Sequence, residues 1–323
     1  MSSGIKRVLV VGLGALGAPY AQALREGRNS LEISALVPAS HALSYLDRPV
    51  EINGKPLAVS IANLGKQRNP ADLILVAVKR YNLESILSPL RDFVGPDTLI
   101  LSLMNGIDSE GILASCFGWD RVLYATCIGV DSNRQGRRVT LNSLGKLLLG
   151  EEHNEPPAPR TLALRNFFQS CGITAEVPED MRLALWRKLL VNVGMNQVSA
   201  VRGLEYGPFR QNIAAMEEMR AAQREVIEVA RAEGVGLAEG DIESWERQLF
   251  ALSESGMSSM LQDVRQERRT EVDSFGGTIV ALGRKHGIPV PVNAFLVKEI
   301  EKIESRFPGS EADGGDRRRS KNS

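Results

Sequence analysis

Ile5-Lys6-Arg7-Val8-Leu9-Val10-Val11-Gly12-Leu13-Gly14-Ala15-Leu16-Gly17 is the stretch on which the fold turns. Residues 5–12 are a short, branched apolar run of the kind that becomes a strand covered on both faces. The glycines that follow are spaced G-x-G-x-x-G and lead directly into a helix running to about Arg25. In that setting each glycine has a physical reading. Gly12 permits the tight turn, Gly14 lets the backbone approach a pyrophosphate, and Gly17 allows close packing of helix on strand. Leu13, Ala15 and Leu16 complete the loop, and amides at the helix N-terminus face the anion. The stretch predicts a dinucleotide-binding domain.

Outward from it, strands are expected at residues 31–37, 72–78, 98–103 and 122–129, with helices at 83–93 and 109–116 between them. That alternation implies a doubly wound parallel sheet, an α/β Rossmann-like domain. Residues 139–141 and 146–149 flank a polar turn and read as a hairpin. A loop over 151–159, a helix at 161–170 and a strand at 173–176 finish the domain. After Pro178 the pattern is helical: 179–201, 213–233, 242–252, 259–286 and 294–306. The expected organisation is therefore a dinucleotide-binding domain over 1–178, an all-α substrate and catalytic domain over 179–307, and a disordered tail over 308–323. The tail is polar and glycine-rich and carries Arg317-Arg318-Arg319.

Bulk properties narrow the class. Of 323 residues, 43% are apolar and 24% charged, ordinary for a globular protein. Lys plus Arg and Asp plus Glu are 39 each, so no net basic field points to nucleic acid or an anionic membrane. Cys116, Cys127 and Cys171, with three histidines, are too few and scattered for a disulfide framework or a metal cluster. No apolar run is long enough to span a membrane, and the N-terminus lacks a signal-peptide pattern. A cytoplasmic protein binding a small molecule is expected, with a homodimer as its candidate assembly.

The second strand ends in Leu36-Val37-Pro38-Ala39-Ser40-His41, where an NAD site usually has Asp or Glu. The missing acid favours NADP (NADPH), with Ser40, His41 and Arg48 as candidates for its 2′-phosphate. Two loops after strands add polar groups, Lys79-Arg80-Tyr81-Asn82 and Met104-Asn105-Gly106-Ile107. Downstream, Lys188, Asn192 and Asn196 recur every four residues in Trp186–Asn196. At about 100° per residue they share one helix side with a drift of roughly 40° per step. An ammonium and two amides among leucines and valines need polar partners. A further set is Ser259, Asp263, Glu267 and Glu271, again at intervals of four. Ser259-x-x-Gln262 fits a capping box, and Asp263, Arg265 and Glu267 read as a solvated charged face.

Together these segments resemble the ketopantoate reductase (2-dehydropantoate 2-reductase) family over about residues 5–306. The carriers are Gly12–Gly17, Val78-Lys79, Asn105-Gly106, Leu185–Leu189 with Asn192 and Asn196, Ser258–Asp263, Thr270–Asp273, and Lys285–Pro291. The resemblance implies an N-terminal NADP-binding Rossmann-like domain and a 6-phosphogluconate-dehydrogenase-like helical C-terminal domain. It implies an oxidoreductase of pantothenate biosynthesis that reduces 2-dehydropantoate to (R)-pantoate. Lys188 matches the general acid, and Glu271 the partner that orients substrate and Lys188. Asn192, Asn196 and Ser259 match substrate-binding groups. Asn105 would sit between nicotinamide and substrate, and Lys79 along the cofactor. Two positions depart: Val37 lacks the frequent basic residue, and Tyr206 stands where some members have a substrate-binding asparagine. A reductase of another 2-oxo acid or an imine, and a dinucleotide-binding regulator without turnover, are the alternatives.

Overall fold

The opening apolar run becomes β1 (Arg7–Val11), buried along almost its whole length, in the computed structural model, which describes residues 4–62 and 69–308. α1 (Gly17–Gly27) packs Ala18, Tyr20, Ala21 and Leu24 beneath the sheet. β2 (Glu32–Leu36) pairs parallel with β1 on one side. α2 (Ala42–Asp47), a short hairpin of β3 (Glu51–Ile52) and β4 (Lys55–Pro56), and β5 (Ser60–Ile61) follow. β6 (Ala71–Val76) then pairs parallel with β1 on its other side. Strand order therefore reverses between β1 and β6, and such a sheet binds ligands at the carboxyl ends beside the reversal.

α3 (Leu83–Leu90), β7 (Val94–Ser102), α4 (Ser109–Phe117) and β8 (Val122–Ile128) continue the parallel sheet. β9 (Asp131–Gln135) and β10 (Arg138–Ser143) form a hairpin. β11 (Lys146–Gly150), α5 (Pro159–Ser170) and β12 (Ala175–Glu176) close the unit. The large sheet has the order β12-β11-β8-β7-β6-β1-β2-β5, and a small one the order β4-β3-β10-β9. Alternation along β1 divides the core. Val8 and Val10 join α1 and α5 on one face, while Leu9 and Val11 join α3 and α4 on the other.

The hairpin expected between residues 139–141 and 146–149 does not form. β10 pairs with β9, and β11 pairs antiparallel with β8 in the other sheet. β9 reads Asp-Ser-Asn-Arg-Gln, so apolar alternation gives no sign of it. The turn at Gly145 (φ 67°) carries the chain from one sheet to the other.

α6 (Met181–Val191) contains the division between two compact units, which falls between Leu185 and Trp186. A π-helical turn, Asn192–Asn196, separates it from α7 (Gln197–Arg202). The second unit continues through α8 (Tyr206–Gln211), α9 (Ile213–Ala232), α10 (Glu239–Ala251), α11 (Ser259–Arg265), α12 (Gly276–His286) and α13 (Pro291–Glu304). Its core gathers Val198, Phe209, Met216, Met219, Leu249 and Leu296.

The single helix expected over 259–286 is broken. α11 stops at Arg265, Glu267 takes a left-handed φ of 50°, and the Arg268 amide bonds the Asp263 carbonyl at 2.9 Å. That is a Schellman closure with glutamate where glycine is usual, so no glycine marked the stop. Asp263 is correspondingly not on a solvated face. It is buried, and Arg268 Nη2 bonds its Oδ1 at 2.7 Å. No helix among the described residues is long and apolar enough to cross a membrane. The expected tail lies, from residue 309 onward, outside the described residues.

Candidate functional site

In the first unit the glycine loop leaves the end of β1 at the reversal point. Gly12 has φ 90°, and a Cβ there would lie 2.8 Å from the Ala77 carbonyl oxygen and 2.9 Å from Val78 Cγ1. A Cβ on Gly17 would lie 2.1 Å from the Gly12 carbonyl oxygen. Both positions are closed to any side chain by the protein itself. Gly14 differs, because a Cβ there meets nothing nearer than the Ala77 oxygen at 3.8 Å. Packing does not require that glycine, and its open side leaves room for a ligand to approach the backbone. The first turn of α1 carries no acidic residue to repel an anion. Gly12, Leu13, Gly14, Ala15, Leu16 and Gly17 thus make a cradle that fits a dinucleotide phosphate.

The loop is braced by side chains that sequence reading missed. Ser132 Oγ donates to the Ala15 carbonyl at 2.6 Å, and Arg134 Nη1 donates to the Leu13 carbonyl at 2.5 Å. Both come from β9, far along the chain. On β10's side of the hairpin, Arg137 stacks 3.6 Å over the Tyr45 ring and donates to Ser44 Oγ at 2.6 Å. Two guanidinium groups therefore stand beside the loop and α2, while Ser40, His41 and Arg48 are exposed. No carboxylate occurs from Leu36 to Leu46.

Lys79 and Asn105, both half-buried, follow β6 and β7 respectively. Their loops are tied together by Arg80, whose Nε donates to Asp108 Oδ2 at 2.6 Å. Gly106 (φ 101°) makes the turn after Asn105. Behind it, Ser102 and Ser109 hydroxyls lie 2.7 Å apart, and Ser109 donates to the fully buried Glu110 at 3.0 Å. Burial pushes the Glu110 carboxyl up to about 7, against the lowering effect of its hydrogen bonds.

In the second unit Lys188 is half-buried on α6, one turn before the π turn. A π turn bonds i to i+5 and so widens the helix. Asn196 Nδ2 donates to Asn192 Oδ1 at 3.3 Å and to Ser259 Oγ at 3.3 Å. Asn192 Nδ2 is enclosed and has no acceptor among the described residues. The set has a donor to spare, which an acceptor-rich ligand would satisfy.

Side chains from three helices hold the π turn. Gln197 Nε2 donates to the Val193 carbonyl at 2.8 Å and to Asn293 Oδ1 at 3.1 Å. Gln223 Nε2 reaches the Leu190 carbonyl at 3.4 Å, and a Cβ on Gly194 would meet Gln223 Cγ at 2.6 Å. The cap of α11 is Ser258, whose Oγ accepts the Leu261 amide, so the expected Ser259–Gln262 capping box is absent. Ser259 is exposed and free of that duty, which leaves its hydroxyl to Asn196. Tyr206 begins α8, and a Cβ on Gly256 would lie 2.8 Å from Tyr206 Cδ2, so its ring packs against the segment leading to Ser258. Glu271 is 6% exposed and lies not on α11 but in the irregular segment before the 3-10 turn Val272–Ser274.

A phosphate cradle at the reversal of a doubly wound sheet, with an amide-bearing polar face on a separate helical unit, defines a nicotinamide-dinucleotide oxidoreductase. The family model described as ketopantoate reductase PanE/ApbA matches residues 8–154, and its C-terminal counterpart matches residues 180–304. The chain belongs to the ketopantoate reductase family. It is 30% identical to a 2-dehydropantoate 2-reductase of Halobacterium salinarum over 88% of this chain and 95% of that protein. The crystal structure of a PanE/ApbA family ketopantoate reductase from Ralstonia eutropha JMP134 matches with TM-score 0.80 and 27% identity, covering 93% of this chain and 99% of that one. D-mandelate dehydrogenase, solved with NADH and anilino(oxo)acetate, shares the fold with TM-score 0.84 and 22% identity, over 93% of this chain and 99% of that one.

Proposed function

We propose that the protein reduces 2-dehydropantoate to (R)-pantoate with NADPH, and that Lys188 is the general acid. The observation that carries this reading is the Asn192–Asn196–Ser259 set one turn beyond Lys188, with its unsatisfied amide donor. Reduction of a ketone needs a hydride at carbon and a proton at oxygen. When bound, the nicotinamide supplies the hydride. Lys188 polarises the carbonyl, stabilises the developing alkoxide and donates its proton to that oxygen. Glu271 orients Lys188 and substrate. Asn192 and Asn196 donate to and accept from a substrate carrying both hydroxyl and carbonyl groups, and the Ser259 hydroxyl meets its carboxylate.

Gly12–Gly17 hold the pyrophosphate, Lys79 lies along the cofactor, and Asn105 stands beside its ring. The acid-free end of β2 and the nearby Arg134 and Arg137 support a 2′-phosphorylated dinucleotide. The test is nicotinamide absorbance with 2-dehydropantoate and each reduced cofactor. Turnover is expected, with NADPH the more efficient. Equal efficiency overturns the cofactor assignment, and no turnover with either overturns the substrate.

Tyr206 favours one second reading, reduction of a different 2-oxo acid, because an aromatic ring stands where the resemblance supplies an amide. Relative kcat/KM across a panel of oxo acids separates the two. Binding of NADPH without oxidation by any of them would instead indicate a regulator.

A further inference from the structure

We infer that Glu304 is a positioning residue for Glu271, acting through Thr270; this rests on Glu271 orienting substrate and Lys188. Glu304 ends α13 and is 3% exposed. Both facts work against a carboxylate. Burial removes its hydration, and the C-terminal turn of a helix presents partial negative charge. The compensation is specific. Glu304 Oε1 accepts the Thr270 amide at 2.7 Å and the Thr270 hydroxyl at 2.6 Å.

Thr270 Oγ1 accepts the Val272 amide at 3.2 Å, and the Glu271 carbonyl accepts the Ser274 amide at 2.9 Å. The backbone on either side of Glu271 is therefore pinned, in a segment that belongs to no regular helix. Glu304 is the origin of that chain of bonds.

The other end of α13 is equally fixed. Glu225 accepts the Val292 and Asn293 amides at 2.8 and 2.9 Å, and Asn293 meets Gln197, which bonds the π turn. One helix thus ties the segment carrying Glu271 to the turn carrying Asn192 and Asn196. A site that must hold its groups to a fraction of an ångström needs such a reference.

The test is a double-mutant cycle on kcat/KM for 2-dehydropantoate with Glu304→Ala and Glu271→Ala. Glu304→Ala is expected to lower kcat/KM about 10- to 100-fold, mostly in kcat, as a misplacement of about 1 Å does. In the Glu271→Ala background the same change is expected to cost less than about threefold, because the partner it positions is gone. Glu304→Gln, whose amide oxygen accepts the same two donors, is expected to keep activity within about threefold of the parent. An equal loss in both backgrounds marks a merely structural residue and overturns the inference, as does undiminished activity of Glu304→Ala. Full activity of Glu271→Ala alone overturns the reading of Glu271 itself, and that result is visible before the cycle is closed. Should Glu304→Ala fail to fold, Thr270→Val carries the same cycle with Thr270→Ser as its rescue.

Discussion

The glycine loop and the π turn are built in opposite ways. The loop is shaped by its main chain, with Gly12 and Gly17 fixed by backbone oxygens close by and Gly14 alone left open, and side chains from β9 only brace its carbonyls. The π turn is a side-chain device, held by Gln197, Gln223 and Asn293 from three helices and ending in an unsatisfied amide. A phosphate is met by amides that every sequence possesses, so local geometry suffices. Proton transfer needs particular side chains at particular distances, so long-range bonds must set them.

Lys188 is where the two devices should separate most widely. Lys188→Ala is expected to lower turnover about 100-fold or more, as loss of a general acid does, while NADPH binding stays close to that of the parent. Turnover by nicotinamide absorbance and binding by fluorescence titration separate the two effects. Near-parental turnover removes Lys188 from the chemistry. Lost binding with lost turnover would mean that the two devices are not independent.

Within the loop, Gly17→Ala and Gly14→Ala should part company. The first drives a Cβ onto a backbone oxygen that cannot move aside, and overpacking of this kind costs about 1–3 kcal/mol. The second meets open space, so its stability should stay within about 0.5 kcal/mol of the parent. Its NADPH affinity should nonetheless fall, by about tenfold if one phosphate hydrogen bond is lost. Denaturant unfolding and cofactor titration read these separately. Equal destabilisation by both would make Gly14 a packing glycine.

The same contrast explains what the sequence disclosed. The glycines' demands are local, so their spacing and the apolar strand before them were sufficient to place the loop, though not its braces from β9. The period of four in Lys188, Asn192 and Asn196 exposed the polar face. It could not reveal the π turn, which depends on Gln223 and Asn293 arriving from α9 and α13. Adjacent serines hid which one caps α11. Glu267, rather than glycine, hid the break before Glu271. Glu304 reads as a surface acid at a helix end until Thr270 is seen beside it. β9 is polar throughout, so Ser132 and Arg134 gave no sign of reaching the loop, nor Arg137, in the turn after it, of reaching Ser44 and Tyr45 of α2.

That hairpin offers a subtler probe of the loop. Arg137→Ala removes a cation beside α2 while leaving the glycine cradle intact. The ratio of NADPH to NADH efficiency is expected to fall about tenfold, the size of one hydrogen bond to a charged group. NADH efficiency itself should hold. An unchanged ratio assigns Arg137 to the Tyr45 stack and the Ser44 contact alone.

Two buried carboxylates show the same division between local and long-range satisfaction. Glu304 has two donors on one oxygen, whereas Glu110 receives the Ser109 hydroxyl on Oε2, with its own amide and that of Ala125 also facing the carboxyl, and leaves Oε1 without a partner among the described residues. Burial, with the Asp108 charge adding in the same direction, raises the Glu110 carboxyl from 4.5 to about 7. The folded chain therefore holds this proton more tightly than the unfolded chain does. Its stabilising contribution is complete below about 4.5 and is lost as pH rises through about 7. Above that, the fold retains a buried anion with one oxygen unpaired. The melting temperature of the parent should fall between pH 5 and 8 by about 2–4 °C for each kcal/mol involved, and Glu110→Gln, neutral throughout, should flatten that fall. Parallel curves for the two proteins would show that another group governs the slope, and that the amide and hydroxyl donors around Glu110 satisfy its charge as fully as Thr270 satisfies Glu304.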